Sequence, residues 1–123
     1  MTSDLKPRVS SISAVFPAYN DGGTIPSMVL MALMALRQVT DDYEVIVTND
    51  CSGDMTGEIL EELAKRYPEL HVIHHSENMG YGSALRSGFA AASKDWIFYT
   101  DGDAQYNPME LVNLVEALKD GVD

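Results

Sequence analysis

Two aspartates separated by one glycine are the residues of this sequence best suited to chemistry. Asp101 and Asp103 follow the run "WIFYT" (residues 96–100), which predicts a buried strand with an acidic pair at its end. Two carboxylates at one point repel each other and raise one pKa unless a cation lies between them. A divalent ion removes that conflict and keeps positions open for phosphate oxygens. Gln105 offers a further oxygen two residues on.

The acidic pair could also belong to a simple turn or to a different kind of motif. Taken alone, an Asp-Gly pair is more often an exposed turn. An EF-hand loop starting at Asp101 would need glycine and glutamate where the sequence has Tyr106 and Val112. A dinucleotide fingerprint in "GYGSAL" would need a small residue in place of Leu85. A phosphatase motif would follow the first strand, whereas this pair follows the fourth.

Strand and helix patterns alternate through the chain and indicate what must position the pair. The predicted strands are 9–16, ended by Pro17, then 43–48, 70–75 and 96–100. The predicted helices are 25–39 with Thr24 as N-cap, 55–67, one with an apolar stripe at residues 84, 85, 88, 89 and 92, and one beginning near Pro108. This pattern predicts an α/β fold: a Rossmann-like, open, mainly parallel sheet with helices on both faces.

Composition limits the partners. The 123 residues fit one domain, and 19 acidic against 8 basic side chains give a net charge of −11. Such a charge disfavours nucleic acid and anionic lipid surfaces. The single Cys51 and a polar N-terminus without a secretory signal favour a cytoplasmic location. The apolar run 28–36 reaches only about 13 Å as a helix, so it predicts a core helix rather than a membrane span.

Polar loops follow each predicted strand, and parallel strands bring such loops to one sheet edge. They are "PAYNDGG" (17–23), "NDCSGD" (49–54), "ENMGYGSALRSG" (77–88) and "TDGDAQ" (100–105). Each alone is usually a turn or a helix cap. Four at the same edge, one of them with the acidic pair, predict a ligand site.

With these motifs in order, residues 10–118 resemble the nucleotide-binding half of family 2 glycosyltransferases of the GT-A fold. The similarity is greatest to the branch that transfers sugars to dolichyl or polyprenyl phosphate. The motifs that carry it are "PAYND" (17–21), "VTNDCSGD" (47–54), "NMGYGSALRSG" (78–88) and "YTDGDAQYNP" (99–108). Together they are specific, although none would be specific alone.

The resemblance implies a role for each site residue. A nucleotide-diphospho-sugar donor, linked to UDP or GDP, would contact Pro17, Tyr19, Asp21, Asp50, Asn78, Gly80 and Asp101. Asp50 would face the base. The metal ligands would be Asp103, Asp101 and Gln105, and the metal Mg²⁺ or Mn²⁺. The implied reaction is inverting transfer of the sugar to an acceptor such as a polyprenyl phosphate or a glycan.

Three positions depart from the family pattern. Asp21 stands where glutamate is usual, which shortens the side chain and keeps the charge. Asn49 and Cys51 replace the first aspartate and the glycine of the usual Asp-Asp-Gly-Ser. Cys51 therefore places a side chain beside Asp50 where the family loop has none.

Further expectations concern the whole protein. Residues 1–123 are expected to be a single, truncated glycosyltransferase domain without the acceptor half or the general base, and so nearly inactive alone. An exposed sheet edge would favour a homo-oligomer, and the full-length protein would lie at a membrane's cytoplasmic face. Two alternatives are a non-enzymatic nucleotide-binding or assembly domain and a metal-dependent nucleotidyltransferase. The latter is disfavoured because "PAYNDGGTIP" lacks the basic residues that hold a triphosphate.

Overall fold

Four strands and three helices alternate along residues 9–20 and 22–99, the part of the chain that the computed structural model describes. The strands are β1 (Ile12–Ala18), β2 (Tyr43–Asn49), β3 (Leu70–His74) and β4 (Trp96–Tyr99). The helices are α1 (Ile25–Val39), α2 (Thr56–Arg66) and α3 (Tyr81–Ala91). The helix predicted near Pro108 lies outside the described residues.

The sheet is parallel throughout its described part, in the order β3-β2-β1-β4. The chain steps outward from β1 to β3 and then crosses back to place β4 on the other side of β1. Right-handed crossovers therefore put α1 and α2 on one face and α3 on the opposite face. The predicted fold class, an open parallel sheet covered on both faces, is confirmed.

The face under α1 and α2 holds the hydrophobic core. Ala14 and Phe16 of β1 and Val45 of β2 are fully buried there. The bounds of α1 agree with the prediction, and most of its apolar run is buried against this face. Leu30 and Met31 are half-buried, and Met34 is exposed over 56% of its surface. The run is a core helix, as predicted.

The face under α3 is packed more closely and is more polar. A Cβ atom on Gly88 would lie 2.3 Å from Cγ1 of Val15 and 3.7 Å from Oγ1 of Thr48. The absence of a side chain at Gly88 is what lets α3 approach the sheet. Ser13 and Glu44 are also buried on this face, near the amino ends of β1 and β2.

The predicted end of the first strand was wrong, because β1 passes through Pro17 to Ala18. Pro17 pairs with Thr48 of β2. The carbonyl of Ala18 accepts a hydrogen bond from Asp50 at 2.9 Å, so alternate residues of β1 bond to β2, and the nitrogen of Pro17 faces the β4 side. The described pairing with β4 ends at Val15. Proline therefore removes no bond from the described ladder.

Candidate functional site

Asp50 is buried where β2 ends, with 4% of its surface exposed. Its Oδ1 accepts hydrogen bonds from Nδ1 of His75 at 2.8 Å and from the backbone N–H of Met79 at 2.9 Å. Its Oδ2 accepts from the backbone N–H of Gly80 at 2.9 Å. Because Asp50 also donates its own N–H to Ala18, it fastens the loop after β3 to the ends of β2 and β1.

The charge of Asp50 is stabilised by these donors. Burial acts to raise its pKa, but the hydrogen bonds from Met79, His75 and Gly80 outweigh burial, and the pKa lies below its ordinary value. The nearby N-terminus of α3 also favours an anion. Since the ionised carboxylate can only accept hydrogen bonds, Nδ1 of His75 is the nitrogen that carries a proton.

The loop after β1 is tied to the loop after β2 through Asn20. Its Oδ1 accepts hydrogen bonds from the backbone N–H groups of Gly53 at 2.7 Å and Asp54 at 3.3 Å. Its own N–H donates to Oγ of Ser52 at 3.0 Å. Asn20 has a φ of 54°, and asparagine adopts this left-handed conformation more easily than most residues. The two loops thus form one connected structure.

Asp54 makes the second tie between these loops and also starts α2. One carboxylate oxygen accepts from the N–H of Gly22 at 3.2 Å, and the other accepts from the N–H of Thr56 at 2.9 Å and from the Thr56 hydroxyl. The hydrogen bonds from Thr56 are the main cause of the lowered pKa of Asp54. Both carboxylate oxygens of Asp54 therefore accept hydrogen bonds within the protein.

The amide side chain of Asn49 makes hydrogen bonds through both its oxygen and its nitrogen. Its Oδ1 accepts from the N–H of Ser52 at 3.1 Å, and its Nδ2 lies 3.1 Å from Nδ1 of His74. Nε2 of His74 lies 2.6 Å from a carboxylate oxygen of Glu61. With the His74 proton on Nε2, Nδ1 is an acceptor that only a donor can satisfy. The aspartate usual in the family would not donate at this position.

Cys51 occupies a backbone conformation that favours glycine. Its φ is 59°, in the left-handed region. The side chain is exposed, and its thiol points to the carbonyl oxygen of Ser76, 3.6 Å away. The usual glycine therefore has a physical reason, and the substitution strains this loop.

Comparison with known proteins identifies the family. The glycosyl transferase family 2 model matches residues 13–123. The chain belongs to this family. Curated relatives include the undecaprenyl-phosphate 4-deoxy-4-formamido-L-arabinose transferases of Photorhabdus laumondii and Pectobacterium carotovorum. Each is 36% identical over 94% of this chain, which spans 36% of the relative's length.

Solved structures of other glycosyltransferases have the same fold. The mannosyltransferase PcManGT of Pyrobaculum calidifontis, in complex with GDP-Man and Mn²⁺, superposes with a TM-score of 0.77 at 23% identity, over 96% of this chain and 34% of that one. Glucosyl-3-phosphoglycerate synthase of Mycobacterium tuberculosis, in complex with Mn²⁺, UDP and glucosyl-3-phosphoglycerate, gives 0.66 at 28% identity, over 89% and 39%. The predicted GT-A fold is confirmed.

In this family 2 chain, the predicted site residues within the described part lie at the carboxyl edge of the sheet. Pro17 is buried in β1, and Tyr19, just beyond β1, is 50% exposed. Asn78 is exposed, and its Oδ1 accepts from the N–H of Gly80 at 3.2 Å. Gly80 is the N-cap of α3, with a φ of 93°. The predicted residues Asp21, Asp101, Asp103 and Gln105 lie outside the described residues.

Two site features were missed by sequence reasoning. His75 and Ser87 complete a hydrogen-bonded chain with Asp50, and Asn20 ties two loops together. His75 stands at the end of a predicted strand beside a polar loop, which was the available signal. Its partners are 25 and 12 positions away in the sequence, and single-sequence patterns do not report such contacts.

The described residues contain neither a metal-binding cluster nor a membrane-spanning helix. Within residues 9–20 and 22–99, no group of three or more His, Cys, Asp or Glu side chains is arranged to hold a metal ion. No helix in that same part of the chain combines the length and apolar content needed to cross a bilayer.

Proposed function

We propose that this chain is the donor-binding part of an inverting family 2 glycosyltransferase that takes its sugar from a nucleoside diphosphate. Family membership and the GT-A fold support the proposal. Relatives and neighbours support its chemistry, because their names include sugar transfer to undecaprenyl phosphate and complexes with UDP or GDP-Man and Mn²⁺. The whole protein's reaction is a proposal, since the chain covers about a third of those proteins.

The observation that carries the proposal is the reversal of strand order at β1. In the sheet order β3-β2-β1-β4, the loop after β1 leads to α1 on one face, whereas the chain reaches β4, on the other side of β1, from α3 on the opposite face. Open parallel sheets bind ligands in the crevice at such a point, outside the carboxyl ends of the strands. Tyr19 is exposed directly after β1, and β4 ends two residues before Asp101 in the chain.

We propose that a divalent metal binds at this edge. Its ligands lie outside residues 9–20 and 22–99, which contain no group of three or more metal-binding side chains. The carboxylates of Asp50 and Asp54 are engaged by internal hydrogen bonds. By their match to the family motif, Asp101, Asp103 and Gln105 are the residues that would hold Mg²⁺ or Mn²⁺. When bound, the ion would neutralise the charge on the leaving diphosphate, which matters in a protein of net charge −11.

The described residues would bind and orient the donor. Tyr19 offers an exposed aromatic surface to the nucleoside beside Pro17, and Asn78 and Gly80 shape the loop beside the sugar. Asp50 is nearly covered and uses both oxygens within the protein. The proposed contact of Asp50 with the base therefore relies on the remaining lone pair of Oδ2. The main role of Asp50 within the protein is to hold the loop after β3 in place.

The proposed acceptor is a polyprenyl phosphate. The curated relatives named above support this class, because their names specify undecaprenyl phosphate. Such an acceptor would bring the full protein to a membrane surface, which we propose to be the cytoplasmic one. A carboxylate from outside residues 1–123 would act as general base on the acceptor.

Calorimetric titration tests the donor site directly. UDP and GDP are each titrated with Mn²⁺, Mg²⁺ or EDTA into the wild-type chain, Asp103→Asn and the control Glu62→Gln, which removes one exposed charge from α2. We expect metal-dependent binding of one nucleotide, reduced at least tenfold in Asp103→Asn and unchanged in the control. No binding by a folded wild-type chain, or binding that EDTA does not reduce, would contradict the proposal.

A further inference from the structure

Three side chains form a hydrogen-bonded chain between the loop after β2 and the middle of α3. Oδ1 of Asp50 lies 2.8 Å from Nδ1 of His75, and Nε2 of His75 lies 2.8 Å from Oγ of Ser87. The side chains of Asp50 and His75 are 5% and 9% exposed. The proposed function assigns no role to His75 or Ser87.

The proton arrangement gives His75 one fixed orientation. Nδ1 carries the proton that Asp50 accepts, so in the neutral ring Nε2 accepts from the hydroxyl of Ser87. The backbone N–H of His75 also donates to the carbonyl of Asn49 at 2.9 Å. Because its ring is held at both nitrogens and its backbone at the N–H, His75 fixes the position of the Asp50 carboxylate.

The same Asp–His–Ser order occurs in serine hydrolases, but the surroundings here do not fit that chemistry. Ser87 lies inside α3, where backbone N–H groups are used by the helix and cannot form an oxyanion hole. Oδ1 of Asp50 additionally accepts from Met79, and Oδ2 from Gly80. The hydrogen-bonded chain of Ser87, His75 and Asp50 therefore supports the loop after β3 and does not activate Ser87 as a nucleophile.

From this geometry we infer that His75 is a positioning residue for the donor site. By orienting Asp50, it sets the backbone of Met79 and Gly80 and thus the loop that the proposed function places beside the nucleotide-sugar. Ser87 fixes the far side of the ring and couples the loop to α3. The inference rests on the proposed function for its ligand, and its structural half can be tested without one.

Two substitutions of His75 distinguish its hydrogen bond to Asp50 from the packing of its side chain. The amide of His75→Asn can occupy the place of Nδ1 and still donate to Asp50, but it does not reach Ser87. The amide of His75→Gln can occupy the place of Nε2 and reach Ser87, but it loses Asp50. Glutamine keeps more of the side-chain volume, so packing alone would favour it. His71→Asn and His71→Gln are matched controls, because His71 lies in β3 with its side chain 56% exposed, and its Nε2 is 3.6 Å from Glu44 at the amino edge, away from the loop after β3.

Amide hydrogen exchange measures the positioning without any ligand. We expect protection of the Met79 and Gly80 amides, relative to amides of α1, to fall about tenfold in His75→Gln and to stay within about twofold of wild type in His75→Asn. Both His71 variants should leave it unchanged. Equal protection in the two His75 variants, or lower protection in His75→Asn, would overturn the inference.

Nucleotide titration with Mn²⁺ then measures the consequence for the site. We expect affinity to fall about tenfold in His75→Gln and to be largely retained in His75→Asn. Labelling of Ser87 by a fluorophosphonate would also overturn the inference, since it would reveal a reactive nucleophile. A wild-type chain that binds no nucleotide would refute the proposed function, while the exchange pattern would still decide whether His75 positions the loop.

Discussion

β2 has a buried carboxylate near each end, and the two differ in what they hold. Asp50, at the carboxyl edge, binds the backbone of the loop after β3. Glu44, at the amino edge, accepts hydrogen bonds on one oxygen from the hydroxyl of Ser13 at 2.7 Å and from the N–H and hydroxyl of Ser93 at 2.8 and 3.0 Å. One carboxylate shapes a loop that faces solvent, and the other joins the amino ends of the strands.

The backbone field at the two edges favours the carboxyl edge for an anionic group. Helices that follow parallel strands direct their N-termini to the carboxyl edge and their C-termini to the amino edge. Asp50 therefore lies at the favourable end of α3, and Glu44 lies near its unfavourable end and depends on its hydrogen bonds. An anionic diphosphate would meet the same difference.

The largest effect is expected from removing Glu44. Glu44→Ala leaves the buried hydroxyl of Ser13 and the two donors of the exposed Ser93 without their acceptor, which should lower the free energy of unfolding by about 3 kcal/mol. Urea denaturation measures this. The control Asp42→Ala removes an exposed ion pair with Lys94 and should cost less than about 1 kcal/mol. Nucleotide affinity should change less than about twofold in both; a large loss in Glu44→Ala would erase the distinction between the edges.

A second prediction concerns Gly88, where α3 packs closely against Val15 of β1. Gly88→Ala should destabilise the chain by about 2 kcal/mol, because the added methyl group would meet Val15. Gly82→Ala, in the same helix, meets only the end of Arg86 at 3.5 Å, and helix propensity should make it neutral or stabilising by up to about 1 kcal/mol. Thermal unfolding of the two variants side by side gives the answer, and equal effects would mean that α3 is not closely packed.

Acid should weaken both ends of β2. Burial opposes ionisation of Glu44, but the hydrogen bonds from Ser13 and Ser93 prevail, so its pKa is lowered, as is that of Asp50. A carboxyl group with a lowered folded-state pKa stabilises the protein above its unfolded-state pKa, and this stability is lost as pH falls from about 4 through the folded-state value.

Denaturation between about pH 3 and pH 6 measures that dependence. Each such group contributes a slope of at most about 1.4 kcal/mol per pH unit. Glu44→Gln should reduce the slope, because it removes the carboxylate whose pKa is lowered. A slope identical in Glu44→Gln and wild type would show that Glu44 has an ordinary pKa.

The smallest effect is expected at the strained position of the carboxyl edge. Cys51→Gly should raise the free energy of unfolding by about 1 kcal/mol, because glycine adopts the φ of 59° without strain. Cys51→Ala keeps the strain and should bring no gain. Chemical denaturation of the three proteins decides, and equal gains in both variants would locate the effect in the thiol rather than in the backbone.

The sequence predicted the elements of this fold well because they depend on local patterns, but the prediction that β4 is buried was wrong, since Trp96, Ile97 and Tyr99 are exposed. The apolar spacing of α1 and the β-branched run of β2 each report a buried face directly. The end of β1 was mispredicted because the effect of a proline depends on which neighbour its nitrogen faces. The direction of the Pro17 nitrogen follows from the pairing of β1 with β2, and a single sequence does not reveal which strands pair.

The candidate site was predicted as a set of loops at one sheet edge but not as a network. Asn78, Gly80 and Asp50 could be named from motifs. The bond between Asp50 and Gly80 spans 30 positions, and the ties of Asn20 to the next loop span 32 to 34. Such contacts depend on the folded arrangement. The roles of Asp101, Asp103 and Gln105 stay predictions.

Because α3 is held beside Gly80 by Asp50 and beyond its C-terminus at Ser93 by Glu44, its length is matched to that of β2. The six steps from Glu44 to Asp50 cover about 20 Å as strand, and the thirteen from Gly80 to Ser93 cover about 20 Å as helix. One residue inserted in α3 would rotate everything after it by about 100° and separate Ser93 from its carboxylate. Homologous sequences should therefore tolerate length changes in the turn between α2 and β3 but hardly any between residues 80 and 93.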